Sequence, residues 1–126
     1  MISAINTALS GLNAAATQVL VSANNTANQF STQTNVNGTV INKPYVPQKV
    51  DQVTITGGVQ AKISSVNPST ITVANPSSPT GLSQLPNVNP DQEVVNQITA
   101  TQSYEANLKS IETANNTLQS LLNIKT

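Results

Sequence analysis

Four of the five carboxylates, Asp91, Glu93, Glu105 and Glu112, fall in one C-terminal stretch, and paired carboxylates are the simplest equipment for general acid–base chemistry. Such work needs a nucleophile or a second base within reach, and the chain contains neither histidine nor cysteine. A serine or threonine nucleophile would have to take Lys43, Lys49, Lys62 or Lys109 as its base, and none of these sits in a recognisable motif. Gly57-Gly58 lacks the spacing of a phosphate-cradling loop and reads as a turn. Thiolate and imidazole metal sites are ruled out by composition. The carboxylates therefore read as helix-end charges and as a solvated face. Enzymatic function, cofactors and metals are not expected.

The carboxylates lie on the most regular element of the chain. From Pro90 to Ile124, the residues Val94, Ile98, Thr101, Tyr104, Leu108, Ile111, Asn115, Leu118 and Leu122 recur at alternating gaps of three and four, which is the signature of a continuous helical seam. Asn89 suits the N-cap, Pro90 the first helical position, and Gln92 a capping-box return. Lys125 is placed where the helix dipole favours a cation. Such a helix is about 50 Å long at 1.5 Å per residue, and it needs a long partner. The other end of the chain supplies one. Ile5, Leu9, Leu12, Ala16, Val19, Ala23, Thr26 and Phe30 repeat the heptad-like spacing, and a helix is predicted from about Ala4 to Asn28 with Ser3 as its cap. The two are expected to pair antiparallel or to cross obliquely. Asn115 on the second seam has two readings, an edge position or a buried amide that sets register.

Charge is distributed unevenly. The formal net charge is zero, arginine is absent, and no charged side chain precedes Lys43. Binding a nucleic-acid backbone by counterion release is therefore excluded. A charge-free first helix is unusual for a solvated surface. It carries a second stripe of small residues, Ala4, Ala8, Gly11 and Ala15, that lets another backbone come close. No run reaches the roughly 20 apolar residues of a membrane span. The start lacks the basic and apolar regions of a secretory signal, so export would need another route.

Between the helices, the polar run Asn28 to Gly38 reads as a loop or extended arm. Val46–Thr56 and Val59–Ser64 flank Gly57-Gly58 as a hairpin, and Ile71–Ala74 is expected to extend it to three strands. Pro76, Pro79, Pro86 and Pro90 with Gly81 read as a linker back to the second helix. The expected fold is mainly α, of the α+β class: a coiled-coil-like stalk of terminal helices (1–34 and 86–126) with a small β-rich insert (35–85).

SGLNAAATQV (Ser10–Val19) and ANNTAN (Ala23–Asn28) at the start, with PNVNPDQEVVNQITATQSYEANLKSIETANNTLQSLLNIKT (Pro86–Thr126) at the end, resemble the paired terminal signatures of bacterial flagellar axial proteins, the rod, hook and hook-associated components. The short length, NGTVINKPYVPQKV (Asn37–Val50) and GGVQAKI are most similar to the proximal-rod members; Thr26 departs from the aliphatic residue usual there. The resemblance implies a non-enzymatic subunit of the basal-body rod. It would be exported unfolded through the flagellar type III apparatus without a cleaved signal, and would polymerise through its terminal helices with itself, other rod proteins and the inner-membrane ring with its adaptor. The helix-pairing or inter-subunit residues are then Ile5, Ala8, Leu9, Gly11, Leu12, Ala16, Val19, Ala23, Asn24, Asn25 and Asn28 on the first helix, and Val94, Ile98, Tyr104, Leu108, Ile111, Asn115, Leu118 and Leu122 on the second. The alternative is a non-flagellar coiled-coil oligomer acting as an adhesin or secretion-system accessory.

Overall fold

Two long helices and three separate hairpins make up the computed structural model, which describes residues 2–32, 34–36 and 39–124. Helix α1 spans Ile2–Asn28 and helix α2 spans Pro90–Ile124. The start of α2 follows its sequence. Asn89 Oδ1 accepts from the amides of Asp91 and Gln92 at 3.1 and 3.2 Å, so two of the otherwise orphaned N–H groups find a partner. Gln92 does not reach back as a capping box; its amide donates forward to Asn96 Oδ1 at 3.1 Å. Nor does Ser3 cap α1. The helix begins one residue earlier, and the Ser3 carbonyl accepts a hydrogen bond from Thr7 Oγ1. Lys125 lies outside the described residues.

The mainly helical α+β class is as expected, while the insert differs in its connections. Strand β1 (Thr34–Val36) pairs antiparallel with β2 (Thr39–Asn42), so part of the expected loop is a hairpin; residues 33, 37 and 38 of that run lie outside the described residues. Strands β3 (Gln48–Ile55) and β4 (Gly58–Ser65) form the expected hairpin in unbroken register from Gln48 opposite Ser65 to Ile55 opposite Gly58. The strand read as its third member, β5 (Thr70–Ala74), pairs instead with β6 (Leu82–Pro86), inside the segment read as a linker. Pro86 is tolerated because it closes the strand, where its missing N–H interrupts no ladder.

Helix α1 lies between α2 on one side and the β3–β4 hairpin on the other. It therefore holds most of the core: Ala8, Leu12, Ala14, Ala15, Val21, Ser22 and Asn25 are buried, against Ala100 alone among the described residues of α2. The helices run antiparallel, with Asn25 beside Glu93 at one end and Gly11 against Asn107 further along. Small side chains permit this approach. A Cβ built on Gly58 would lie 1.9 Å from Ser10 Oγ, so the hairpin tip reaches α1 only as glycine. There the Val59 amide donates to Ser10 Oγ at 3.1 Å, and Thr7 Oγ1 donates to the Gly57 carbonyl at 3.0 Å.

Candidate functional site

The face of α2 turned toward α1 is not its apolar seam. Half-buried or buried positions run Glu93, Gln97, Ala100, Ser103, Asn107, Ile111, Ala114 and Leu118, a helical series made largely of small and polar residues. Val94, Ile98 and Leu108 lie roughly a third of a turn around from Ala100 and are 52, 54 and 45% exposed. The reason is spacing. The α1 face that meets α2 carries the small residues Ala8, Gly11 and Ala15, so α2 must come close, and close approach excludes bulky side chains from the contact. Ile111 and Leu118 are half-buried, while Tyr104, Asn115 and Leu122 are exposed. On α1, Ala8, Leu12 and Asn25 are buried; Ile5, Gly11, Val19 and Asn28 are half-buried; Leu9, Ala16, Ala23 and Asn24 face outward. The exposed apolar side chains thus form stripes that nothing among the described residues covers.

The junction of α1, the start of β3 and the start of α2 is polar. Asn25, 1% exposed, has all four of its hydrogen-bonding positions filled. Its Nδ2 donates to the Gln48 carbonyl and to Glu93 Oε1, both at 2.7 Å, and its Oδ1 accepts from the Gln48 amide at 3.0 Å and from Tyr45 OH at 3.1 Å. Ser22 Oγ lies 2.8 Å from the Glu93 carbonyl and also within bonding distance of Glu93 Oε2. Asn96 Nδ2 donates to the same carboxylate oxygen at 3.3 Å. Glu93, which the sequence presents as a helix-end charge, therefore ties two helices together. The available signal was Ser22 and Asn25 themselves, two polar residues three apart on a face otherwise made of Ala, Leu and Val. Beside this knot is a cleft of about 240 Å³ between α1, β3 and the first turns of α2. Among the described residues no group of three or more His, Cys, Asp or Glu is placed to hold a metal, and no helix is long and apolar enough to cross a membrane.

Burial pushes the Tyr45 phenol above its ordinary value of 10.0, and the charge of Glu93 adds to the rise. The folded state then holds this proton more tightly than the unfolded chain. Stability is unaffected below the ordinary value and declines as pH rises from there to the folded value. In a Tyr104→Phe background Tyr45 is the one remaining tyrosine, so phenolate absorbance follows it alone. Its midpoint is expected above the ordinary value and partly lowered by Glu93→Gln; a midpoint at or below the ordinary value contradicts the burial described.

The geometry of α2, an outward apolar stripe on a helix held by one capped end, can be compared with known proteins. Residues 81–124 match the family model for the flagellar basal body rod FlgEFG protein C-terminal region. The match takes in β6 and all of α2, so this part of the chain is similar to the C-terminal region of flagellar basal-body rod proteins. No curated protein matches the chain.

Proposed function

We propose that this chain is a structural, non-enzymatic subunit of the bacterial flagellar basal-body rod, most like the proximal rod protein FlgC, assembling through the exposed faces of its two terminal helices into the helical tube that transmits torque and surrounds the export channel. The observation that carries this reading is the rod-protein match over α2, the helix whose Val94, Ile98 and Leu108 stripe is exposed among the described residues. A charge-free α1 fits the same role, because a surface buried between subunits has no use for charges that must be desolvated. Its partners are further copies, other rod proteins and the inner-membrane ring with its adaptor. Its location is the periplasmic rod, reached through the flagellar type III apparatus.

Ile98→Asp tests the reading. A surface substitution of this kind changes folding stability by only about 0.5 kcal/mol, yet a carboxylate placed in a desolvated contact between subunits blocks assembly. Cells carrying Ile98→Asp in place of the wild type are expected to be non-motile while still releasing the variant into the medium. Normal motility with intact basal bodies overturns the interface. Sedimentation of the wild-type chain as a sharp small oligomer that never extends into filaments favours the discrete coiled-coil alternative.

A further inference from the structure

The β3–β4 hairpin has almost no core of its own: Val53, Ile55 and Ile63 are each close to half exposed, and a two-stranded ribbon alone is marginal in water. It is held on α1 by polar contacts at its tip, to Ser10 and Thr7, at its middle, where Gln52 meets Gln18, and at its base, where Gln48 and Tyr45 meet Asn25. Only the base contact continues into α2. There one amide group serves both sides. One Nδ2 hydrogen of Asn25 goes to the Gln48 carbonyl and the other to Glu93, while its Oδ1 receives the Gln48 amide of the hairpin and the Tyr45 hydroxyl from the segment just before it. The orientation of this amide decides whether Gln48 is gripped, and the carboxylate of Glu93, itself aligned by Ser22, holds that orientation from the α2 side.

We infer that Glu93 is a positioning residue that latches the hairpin through Asn25, so that seating of the β3–β4 hairpin on α1 is conditional on docking of α2. With Glu93 absent, Asn25 loses the partner of one Nδ2 hydrogen and keeps only its bonds to Gln48 and Tyr45, so its grip on Gln48 is loosened although every atom of the α1–hairpin contact remains. The coupling is reciprocal, as any linkage between two sites must be. Loosening the hairpin side loosens the start of α2.

Amide hydrogen exchange on the full-length chain tests the latch. Glu93→Ala is expected to raise exchange at the Gln48 amide about tenfold and to raise it also at Val59, at the far tip of the hairpin. Tyr45→Phe, which removes a donor to Asn25, is expected to accelerate the Asn96 and Gln97 amides in α2. If Glu93→Ala speeds exchange in α2 alone and leaves Gln48 and Val59 at their wild-type rates, the inference is wrong. Should Glu93→Ala lose its helical circular dichroism, Ser22→Ala decides, because the Ser22 hydroxyl is directed at Glu93 on α2. Severalfold faster exchange at Gln48 in Ser22→Ala upholds the latch, and an unchanged rate overturns it.

Discussion

Asn25→Leu should lower the unfolding free energy by roughly 3–4 kcal/mol, from about 1–3 kcal/mol for each buried group left without its partner. Leucine fills similar space but leaves Glu93 short of one donor and the Gln48 amide and carbonyl short of both their side-chain partners. Asn25→Asp is nearly isosteric and should be at least as damaging at neutral pH. It keeps the acceptor that Tyr45 and Gln48 use, but it turns the two-donor end into a second oxygen facing the Gln48 carbonyl and the Glu93 carboxylate. Part of that loss should return as the pH falls and the new carboxyl takes up a proton. Urea denaturation with an unchanged slope measures both. A loss below about 1 kcal/mol for Asn25→Leu would mean that water replaces these bonds without penalty, and the junction would then not hold the fold together.

Legibility in the sequence followed the strength of local signals. Both helices, the Asn89 cap and the hairpin about Gly57-Gly58 are written in periodicity and turn chemistry that tertiary packing has no reason to override. The β5–β6 pairing was hidden because Leu82–Pro86 carries only two aliphatic residues and a proline, so its composition is that of a linker while its partner lies eight or more residues away. Thr34–Val36 is likewise a strand by pairing rather than by propensity. Propensity describes a residue alone, whereas a two-stranded ribbon is defined by its neighbour.

The orientation of α2 was the harder matter. A heptad reading gives weight to bulky apolar residues and assigns them to the partner within the chain. Here the chain's own contact is made by Ala8, Gly11 and Ala15 against Ala100, Ser103 and Asn107, while the bulky stripe is left outward. Two kinds of helical face therefore coexist on one helix: a small-residue face that closes on α1, and an apolar face that a single chain does not use. Among the described residues, only Leu12 and Val21 are buried large aliphatics. At about 1.5–3 kcal/mol for each such side chain, the internal core is thin, and further stabilisation has to come from polar knots like that at Asn25 and from whatever covers the outer stripe.

Close approach of the two helices makes Gly11 a position where added volume does harm. A Cβ there would sit 2.6 Å from Asn107 Nδ2 and Oδ1 and 2.7 Å from its Cγ, well inside contact distance. Asn107 cannot move without giving up the bond from its Nδ2 to the Ser103 carbonyl at 2.8 Å. In an open helix, Gly→Ala should stabilise by about 1 kcal/mol through propensity alone. At Gly11 the clash should cancel or reverse that gain, and Gly11→Leu, which forces four carbons into the same space, should destabilise by roughly 1–3 kcal/mol or more as an overpacked contact. Asn107→Ala removes the obstructing atoms. In that background Gly11→Ala should recover its favourable sign and Gly11→Leu most of its loss, giving a coupling energy of about 1–2 kcal/mol in a double-mutant cycle. Thermal unfolding of the four proteins in each cycle reads it directly. If Gly11→Ala stabilises the wild type as much as it stabilises the Asn107→Ala variant, the helices do not meet at this point, and the antiparallel register from Asn25–Glu93 to Gly11–Asn107 has to be redrawn.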